Sequence, residues 1–325
     1  MKVKVGTRGS ALALAQTNQI VTRLRELHPR VNFEVVPIKT KGDRITTASQ
    51  FRAAGKGLFV KEIEDALLRR KVSLAIHSMK DLPSELPPGL VFGAIPARAD
   101  ASDVFIGRSD LPIEKLPPGA RIGTSSLRRQ AILRSLYPQL RFVDLKGNLD
   151  TRLAKLRDRK GGLDGIVVAA AGLGRLHPEG GIAARPLPRD RVVPAAGQGA
   201  LALEIREADE AMRALLAPLH DPATALCIAA ERELQRRLEG GCQVPLGAHA
   251  EIGEDGLLTL TACLATVDGR RVLLERQTGS VEDPGAIAAA LETTLRSHGA
   301  REILDEARPA VAKKVGRRAP ARRKR

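Results

Sequence analysis

Lys2-Val3-Lys4-Val5-Gly6-Thr7-Arg8-Gly9-Ser10 opens the chain, and Ala120-Arg121-Ile122-Gly123-Thr124-Ser125-Ser126 repeats its design further along. Each copy is a strand-like run that ends in Gly-Thr plus hydroxyls and enters a helical stretch, Ala11–Leu27 first and Leu127–Leu136 second. The unpaired amides and positive end of a helix make such a turn an anion site, and its hydroxyls equally suit an ordinary N-cap. One copy alone favours the cap. Two copies, with Arg8 beside one and Arg128 and Arg129 beside the other, suggest two similar lobes.

Strands and helices alternate around both turns. Asn32–Lys39, Val72–Ile76 and Leu90–Ile95 read as strands, and Leu58–Arg70 as a helix with Phe59, Ile63, Ala66 and Leu67 at helical spacing. Further on, Val104–Ile106, Arg121-Ile122, Arg141–Leu145 and Gly165–Ala169 read as strands, and Thr151–Asp158 as a helix. This alternation predicts α/β lobes with largely parallel sheets. Ala99–Ser102 is a plausible first crossing between lobes, and Val193–Gly199 a second that returns the chain to lobe one. Gly197-Gln198-Gly199-Ala200-Leu201-Ala202 matches the dinucleotide pattern GxGxxA, but strand-like alternation follows it, so it is not read as a cofactor loop.

After Asp221 the pattern changes. A helix over Ala223–Leu238 is followed by strands at Ala248–Ile252, Leu257–Thr266 and Arg271–Gln277, joined by turns that contain Asp255-Gly256 and Asp268-Gly269. Helices over Ala286–Ser297 and Ala300–Ala307 complete an α+β domain with a three-stranded antiparallel sheet. The expected division is residues 1–98 with 194–218 as lobe one, 99–193 as lobe two, 219–308 as the C-terminal domain, and 309–325 as a basic disordered tail.

The chain has 325 residues, 43% of them hydrophobic, enough for two or three domains with real cores. Its net charge of +16 invites a nucleic-acid reading, yet half of that excess lies in the acid-free tail from Lys313 to Arg325. With no Trp, one Tyr and six Phe, the body has few platforms on which bases could stack. Small anions suit the remaining charge better. Cys227, Cys242 and Cys263 are odd in number and lack CxxC spacing, which argues against a disulfide framework or a cysteine zinc site. No segment reads as a signal peptide or membrane span, so the expectation is a soluble cytoplasmic protein.

Three places carry chemistry. His77-Ser78-Met79-Lys80-Asp81-Leu82 follows a strand, where open α/β sheets bind ligands; an ordinary ion pair at a turn is the competing reading. His77 reads as a packed or hydrogen-bonded residue. Arg128, Arg129, Lys146, Arg152 and Arg175 each fall just past a strand or early in a helix, and together they would line a cleft suited to carboxylates. Glu239-Gly240-Gly241-Cys242-Gln243-Val244-Pro245 could display its thiol toward a cleft, although a free cysteine is more often a buried hydrophobe. No metal-ligand spacing and no ordered serine–histidine–aspartate set is present.

In combination these segments resemble the hydroxymethylbilane synthase, or porphobilinogen deaminase, family. The resemblance rests on Gly6–Ser10, Gly55–Glu62, His77–Asp81, Gly123–Arg129, Gly147-Asn148 with Thr151–Leu153, Ala196–Ala200 and Gly240–Pro245, in family order from residue 1 to about 308. It implies two lobes like those of periplasmic binding proteins, plus a third domain. It implies a dipyrromethane cofactor joined to Cys242 by a thioether, to which four porphobilinogen units add with loss of ammonia before water releases hydroxymethylbilane. Asp81 is the matching catalytic carboxylate. Arg8, Ser10, Lys80, Thr124, Ser126, Arg128, Arg129, Lys146, Arg152 and Arg175 resemble the family's carboxylate binders, Phe59 the aromatic residue near the aspartate, and Gln198 a hinge residue. Lys146 stands where the family often has arginine, and Arg52 where it often has lysine. The resemblance implies a monomer acting on a small molecule, with no membrane or nucleic-acid partner and no metal. A two-lobed anion sensor without catalysis shares the lobes and arginines but has no use for Cys242 or Asp81.

Overall fold

Val3 and Val5 have no exposed surface while Lys2 and Lys4 face solvent, the period-two signature of a strand with one face packed inward. That strand, β1 (Lys2–Arg8), lies between β2 (Asn32–Ile38) and β3 (Leu74–Ser78) and pairs parallel with both. The computed structural model describes residues 1–44, 59–158, 161–238 and 244–307. The Cys242 loop, the Arg52–Lys56 stretch and the basic tail lie outside them.

The first sheet has the order β2-β1-β3-β10-β4, with β4 at Leu90–Ala94 and β10 (Leu201–Arg206) antiparallel to both neighbours. The second sheet repeats this plan. Its strands β5 (Asp103–Gly107), β6 (Arg121–Gly123), β7 (Arg141–Val143), β8 (Gly165–Ala169) and β9 (Arg185–Pro186) have the order β7-β6-β8-β5-β9, with β5 reversed. In both sheets the reversed strand is the first one entered after the chain crosses from the other lobe. All other strands run one way, so the ends of β1, β3, β6 and β8 open toward a shared cleft.

Helices cover each sheet. Helix α1 (Ala11–Leu27) buries Ile20, Val21 and Leu24 against Val3, Val5 and Phe33, while α2 (Lys61–Leu68) buries Ile63 and Leu67 on the opposite face. In the second lobe α3 (Leu127–Leu136) places Ile132 and Leu133 against Phe105, Ile122 and Val167. Helix α4 (Leu149–Arg157) packs Leu149, Leu153 and Leu156 with Val104, Ile106 and Val168. Each fully buried Leu or Ile contributes roughly 1.5–3 kcal/mol. Two further helices, α5 (Ala170–Leu176) and α6 (Glu210–Leu216), have weak sequence signals: the first contains two glycines and the second spans seven residues.

Helix α7 (Pro222–Arg237) starts where Asp221 accepts from Thr224 N at 2.7 Å and Pro222 occupies the first turn. It packs with α8 (Pro284–Ser297) on the antiparallel sheet β11 (Leu246–Ile252), β12 (Leu257–Ala265) and β13 (Val272–Ser280), around Leu234, Leu260 and Leu291. This unit touches both lobes. Cys263 joins the second-lobe core with Phe105 and Ile132, and Ile228 joins Met79, Leu82 and Ala200 in the first.

The two crossings are bound side by side. Ala99 N donates to Gly199 O at 3.3 Å, and the Gln198 amide donates to Ala101 O at 2.6 Å. Gly199 has φ +89°, and a Cβ there would stand 2.4 Å from the Ala99 carbonyl oxygen. Gly256 has φ +75° but open space around it. Gly256→Ala should therefore lower stability by about 1 kcal/mol and Gly199→Ala by more than about 2 kcal/mol. Denaturant unfolding checks this; equal small losses would contradict a tight crossing.

Candidate active site

Every element of the cleft is delivered by a strand end. At the end of β1, Ser10 caps α1 by accepting from Ala13 N at 3.4 Å; after β6, Ser126 caps α3 by accepting from Arg129 N at 3.4 Å. The hydroxyl oxygens thus serve as caps, and their hydrogens remain able to donate to a ligand. Thr124 is buried, and its hydroxyl accepts from Ser126 N at 3.4 Å. After β3 the chain makes a single helical turn, Met79–Asp81, that presents Lys80 and Asp81.

The Asp81 carboxylate lies 4.0 Å from Arg8 Nη1, with more than a third of its side chain exposed. The Arg8 guanidinium in turn lies over the Phe59 ring, 3.9 Å from its centroid. Gly42 makes this fit possible, since a Cβ there would approach the ring to 2.2 Å. His77 points elsewhere: its Nε2 is 3.0 Å from Glu204 Oε2, and both side chains are buried.

Lys80 Nζ donates to Gln198 Oε1 at 3.3 Å. Arg129 Nη2 donates to the same oxygen at 3.3 Å, so one amide gathers a lysine and an arginine from different lobes. Burial, with Arg129 nearby, pushes Lys80 down to about 8, and Asp81 only partly offsets this. Arg152 is pushed down to about 10, again by burial and by Arg129. Its Nε donates to Gly147 O at 2.9 Å. Arg175 is lowered by burial and donates to Gly199 O at 2.8 Å, on the second crossing.

Arg128 and Arg129 are deeply buried because of a carboxylate that the sequence reading overlooked. Asp103, with no exposed surface, lies 2.7 Å from Arg128 Nη2 and 2.7 Å from Arg129 Nη2. Burial works to raise its pKa, but the two guanidiniums and Gln198 hold it well below the usual carboxylate range. Arg128 also donates to Val193 O at 2.6 Å, which ties it to the second crossing. The Lys146 carbonyl accepts from Lys155 Nζ at 2.9 Å. The available sequence signal for Asp103 was an acid opening the apolar strand Val104-Phe105-Ile106 just after a crossing.

Arg98 and Glu231 were also missed. Glu231, fully buried on α7, accepts from Arg98 Nη1 at 2.6 Å, Gly197 N at 2.7 Å and Ala250 N at 2.8 Å. The third domain thereby grips both crossings through one carboxylate.

Burial and the Arg129 charge lower both Lys80 and Arg152, and a single buried acid answers the adjacent arginine pair. Such a site suits a ligand that brings several carboxylates, which is the fit that a dipyrromethane bearing acetate and propionate groups requires. Fold and site together define a two-lobed α/β protein with a cation-rich cleft beside the partly exposed Asp81 and a third domain locked onto its crossings.

Comparison with known proteins narrows this class. Residues 3–214 match the family described as porphobilinogen deaminase, dipyromethane cofactor binding domain, and residues 225–296 match its C-terminal domain. The chain is 48% identical to the porphobilinogen deaminase of Thiobacillus denitrificans, covering 93% of this chain and 97% of that protein. It is 45% identical to that of Brevibacillus brevis, covering 94% and 97%. The methionine binding protein MetQ overlaps 67% of this chain and 89% of its own at 12% identity and a TM-score of 0.42; the sheet order, not this overlap, supports the two-lobed description. The chain belongs to the porphobilinogen deaminase family.

Lys80 carries its charge below about pH 8 and loses it above. Because kcat/KM reports the free enzyme, its value for a carboxylate-bearing substrate should fall by about tenfold between about pH 7 and pH 9 as one charge-assisted bond is lost. Lys80→Arg should flatten that limb; an unchanged limb would contradict the role of Lys80. Asp103→Asn leaves two buried guanidiniums without a counter-charge and should cost about 3–5 kcal/mol in denaturant unfolding. Wild-type stability would show that the pair does not depend on Asp103.

Proposed function

We propose that this chain joins porphobilinogen units into linear hydroxymethylbilane on a dipyrromethane tethered at Cys242, with Asp81 as the catalytic carboxylate. The observation that carries the reading is the crowding of partly and fully buried cations around Asp81. When bound, the dipyrromethane supplies a fixed primer whose terminal ring carbon accepts the next unit.

Each addition breaks the carbon–nitrogen bond of a protonated aminomethyl group and forms one carbon–carbon bond. The displaced ring proton leaves with ammonia as ammonium, so atoms and charge balance. Positive charge develops on the substrate pyrrole as ammonia departs. A carboxylate beside it lowers that barrier, and a partly exposed Asp81 can also accept and pass on the ring proton. Arg8 limits its freedom from one side, while Phe59 limits the freedom of Arg8. Lys80, Arg129, Arg152 and Arg175, with Ser10, Thr124 and Ser126, would orient acetate and propionate groups. Lys146, a point charge rather than a fork, would contribute through its charge. Gln198 would hold Lys80 and Arg129 at their relative spacing.

Chemistry of the other thiols supports Cys242 as the attachment point. Burial pushes Cys227 up to about 11 and Cys263 up to about 12, so both stay protonated and inert inside their cores. Both are free, which suits a reducing compartment and a cytoplasmic setting. Among the described residues no helix is long and apolar enough to cross a membrane. A monomer built from lobes 1–98 with 194–218 and 99–193, plus domain 219–308, acting on a small molecule and not on nucleic acid, is the assembly that this reading supports.

Cys242→Ser should give folded protein without attached pyrroles, and Asp81→Ala folded protein with turnover reduced at least about a hundredfold. Ammonia release and tetrapyrrole formation measure both. Normal turnover by either purified variant would overturn the corresponding role.

A further inference from the structure

Helix α7 carries a second, half-buried charge that the chemistry above does not use. Arg232 follows Glu231 in sequence but grips a different structure, the backbone just after Asp81. Its Nη2 donates to Pro83 O at 2.8 Å and to Ser84 O at 2.9 Å, and its Nη1 approaches Met79 Sδ at 3.9 Å. The guanidinium also lies 5.0 Å from the Phe92 ring centroid. Burial pushes it down to about 10 against the opposing pull of the Glu204 charge, and among the described residues no carboxylate stands at ion-pair distance from it. Burying a guanidinium against neutral carbonyls is an expensive way to pack a helix, since an apolar side chain of similar volume would fill the space without desolvating a charge.

The turn it holds is also restrained from the second crossing, and Met79 and Leu82 pack with Ile228 of α7, but its outgoing carbonyls are held by Arg232. Met79 N donates to Ala200 O at 3.1 Å, and Gly197 packs so closely that a Cβ would lie 2.5 Å from Met79 Cγ. Arg232 supplies the opposite restraint, on the carbonyls that follow the carboxylate. From these contacts we infer that Arg232 is a positioning residue for Asp81, fixing the catalytic turn to the helix that leads into the Cys242 loop. Glu231 fixes the same helix to the crossings, so adjacent residues register α7 against both the catalytic turn and the hinge.

This inference rests on the catalytic role proposed for Asp81. The test compares pyrrole-loaded wild type, Arg232→Met, Arg232→Lys and Asp81→Ala, with loading confirmed by intact mass. Loaded Arg232→Met should lose about a hundredfold in kcat, as a displaced group does, while KM moves less than about threefold. Arg232→Lys, which can still reach one carbonyl, should recover about tenfold of that loss. If Arg232→Met does not fold, Arg232→Lys decides: about tenfold lower kcat at unchanged KM supports the inference, and wild-type kcat overturns it. Normal turnover per loaded chain in Arg232→Met overturns it too, because a purely structural residue would reduce loading or stability alone. A normally active Asp81→Ala overturns the role of the carboxylate and this inference with it, whereas an inactive Asp81→Ala beside a normally active Arg232→Met overturns the inference alone.

Discussion

Like charges held together out of water are the constraint on which this molecule is built. Lys80 and Arg129 meet on the single oxygen Gln198 Oε1, and Arg152 is close enough to feel Arg129. Repulsion and lost hydration would scatter these side chains in a simple loop cluster. Here they persist because each is anchored by a group with little freedom to move: Asp103 for Arg129, the Gly147 carbonyl for Arg152, and the Gln198 amide for Lys80. The internal anions are too few to neutralise the cleft. A ligand with several carboxylates would complete it, which is the proposed link between the electrostatics of the fold and the pyrrole chemistry of the family.

The crossings make that anchoring possible. Each sheet receives its reversed strand directly from the other lobe, so the residues at the crossing contribute to both cores at once. Gln198 bonds to Ala101, Asp103, Lys80 and Arg129 from a position with almost no exposure. Glu231 then binds the third domain to Arg98 and Gly197. Cys263 and Arg134 fasten the same domain to the second lobe, the latter by donating to Val267 O at 2.9 Å. A domain attached to both lobes and to the strands between them resists wide opening of the cleft.

Much of this was legible in the residues. The alternation of Val3 and Val5 with lysines, the hydroxyls of Ser10 and Ser126 before their helices, and the Asp-Gly turns locate most elements to within a few positions, because local sterics and hydrogen bonding dictate them. The strand after Arg70 begins at Leu74 rather than Val72: Arg70 takes φ +55° and the chain turns back on α2 before it can extend. The reversed strands and the short helices α5 and α6 were harder to see, since their stability comes from tertiary packing. In the site, cations following strand ends were visible as a pattern. Their counter-charges Asp103 and Glu231, and the clamp Arg232, were not. Each lies far in sequence from its partners, and only Asp103, an acid that opens an apolar strand, carries a local signal. Arg128 and Arg129 looked alike from spacing, yet Arg128 is bound to Val193 O while Arg129 reaches the amide that Lys80 shares.

The crowding of cations is open to direct observation at Lys80. A titration of its amine by nuclear magnetic resonance in cofactor-free Cys242→Ser protein should give a midpoint near 8, moving upward when porphobilinogen is added. A midpoint in the ordinary lysine range in the free protein, unmoved by the substrate, would contradict the account.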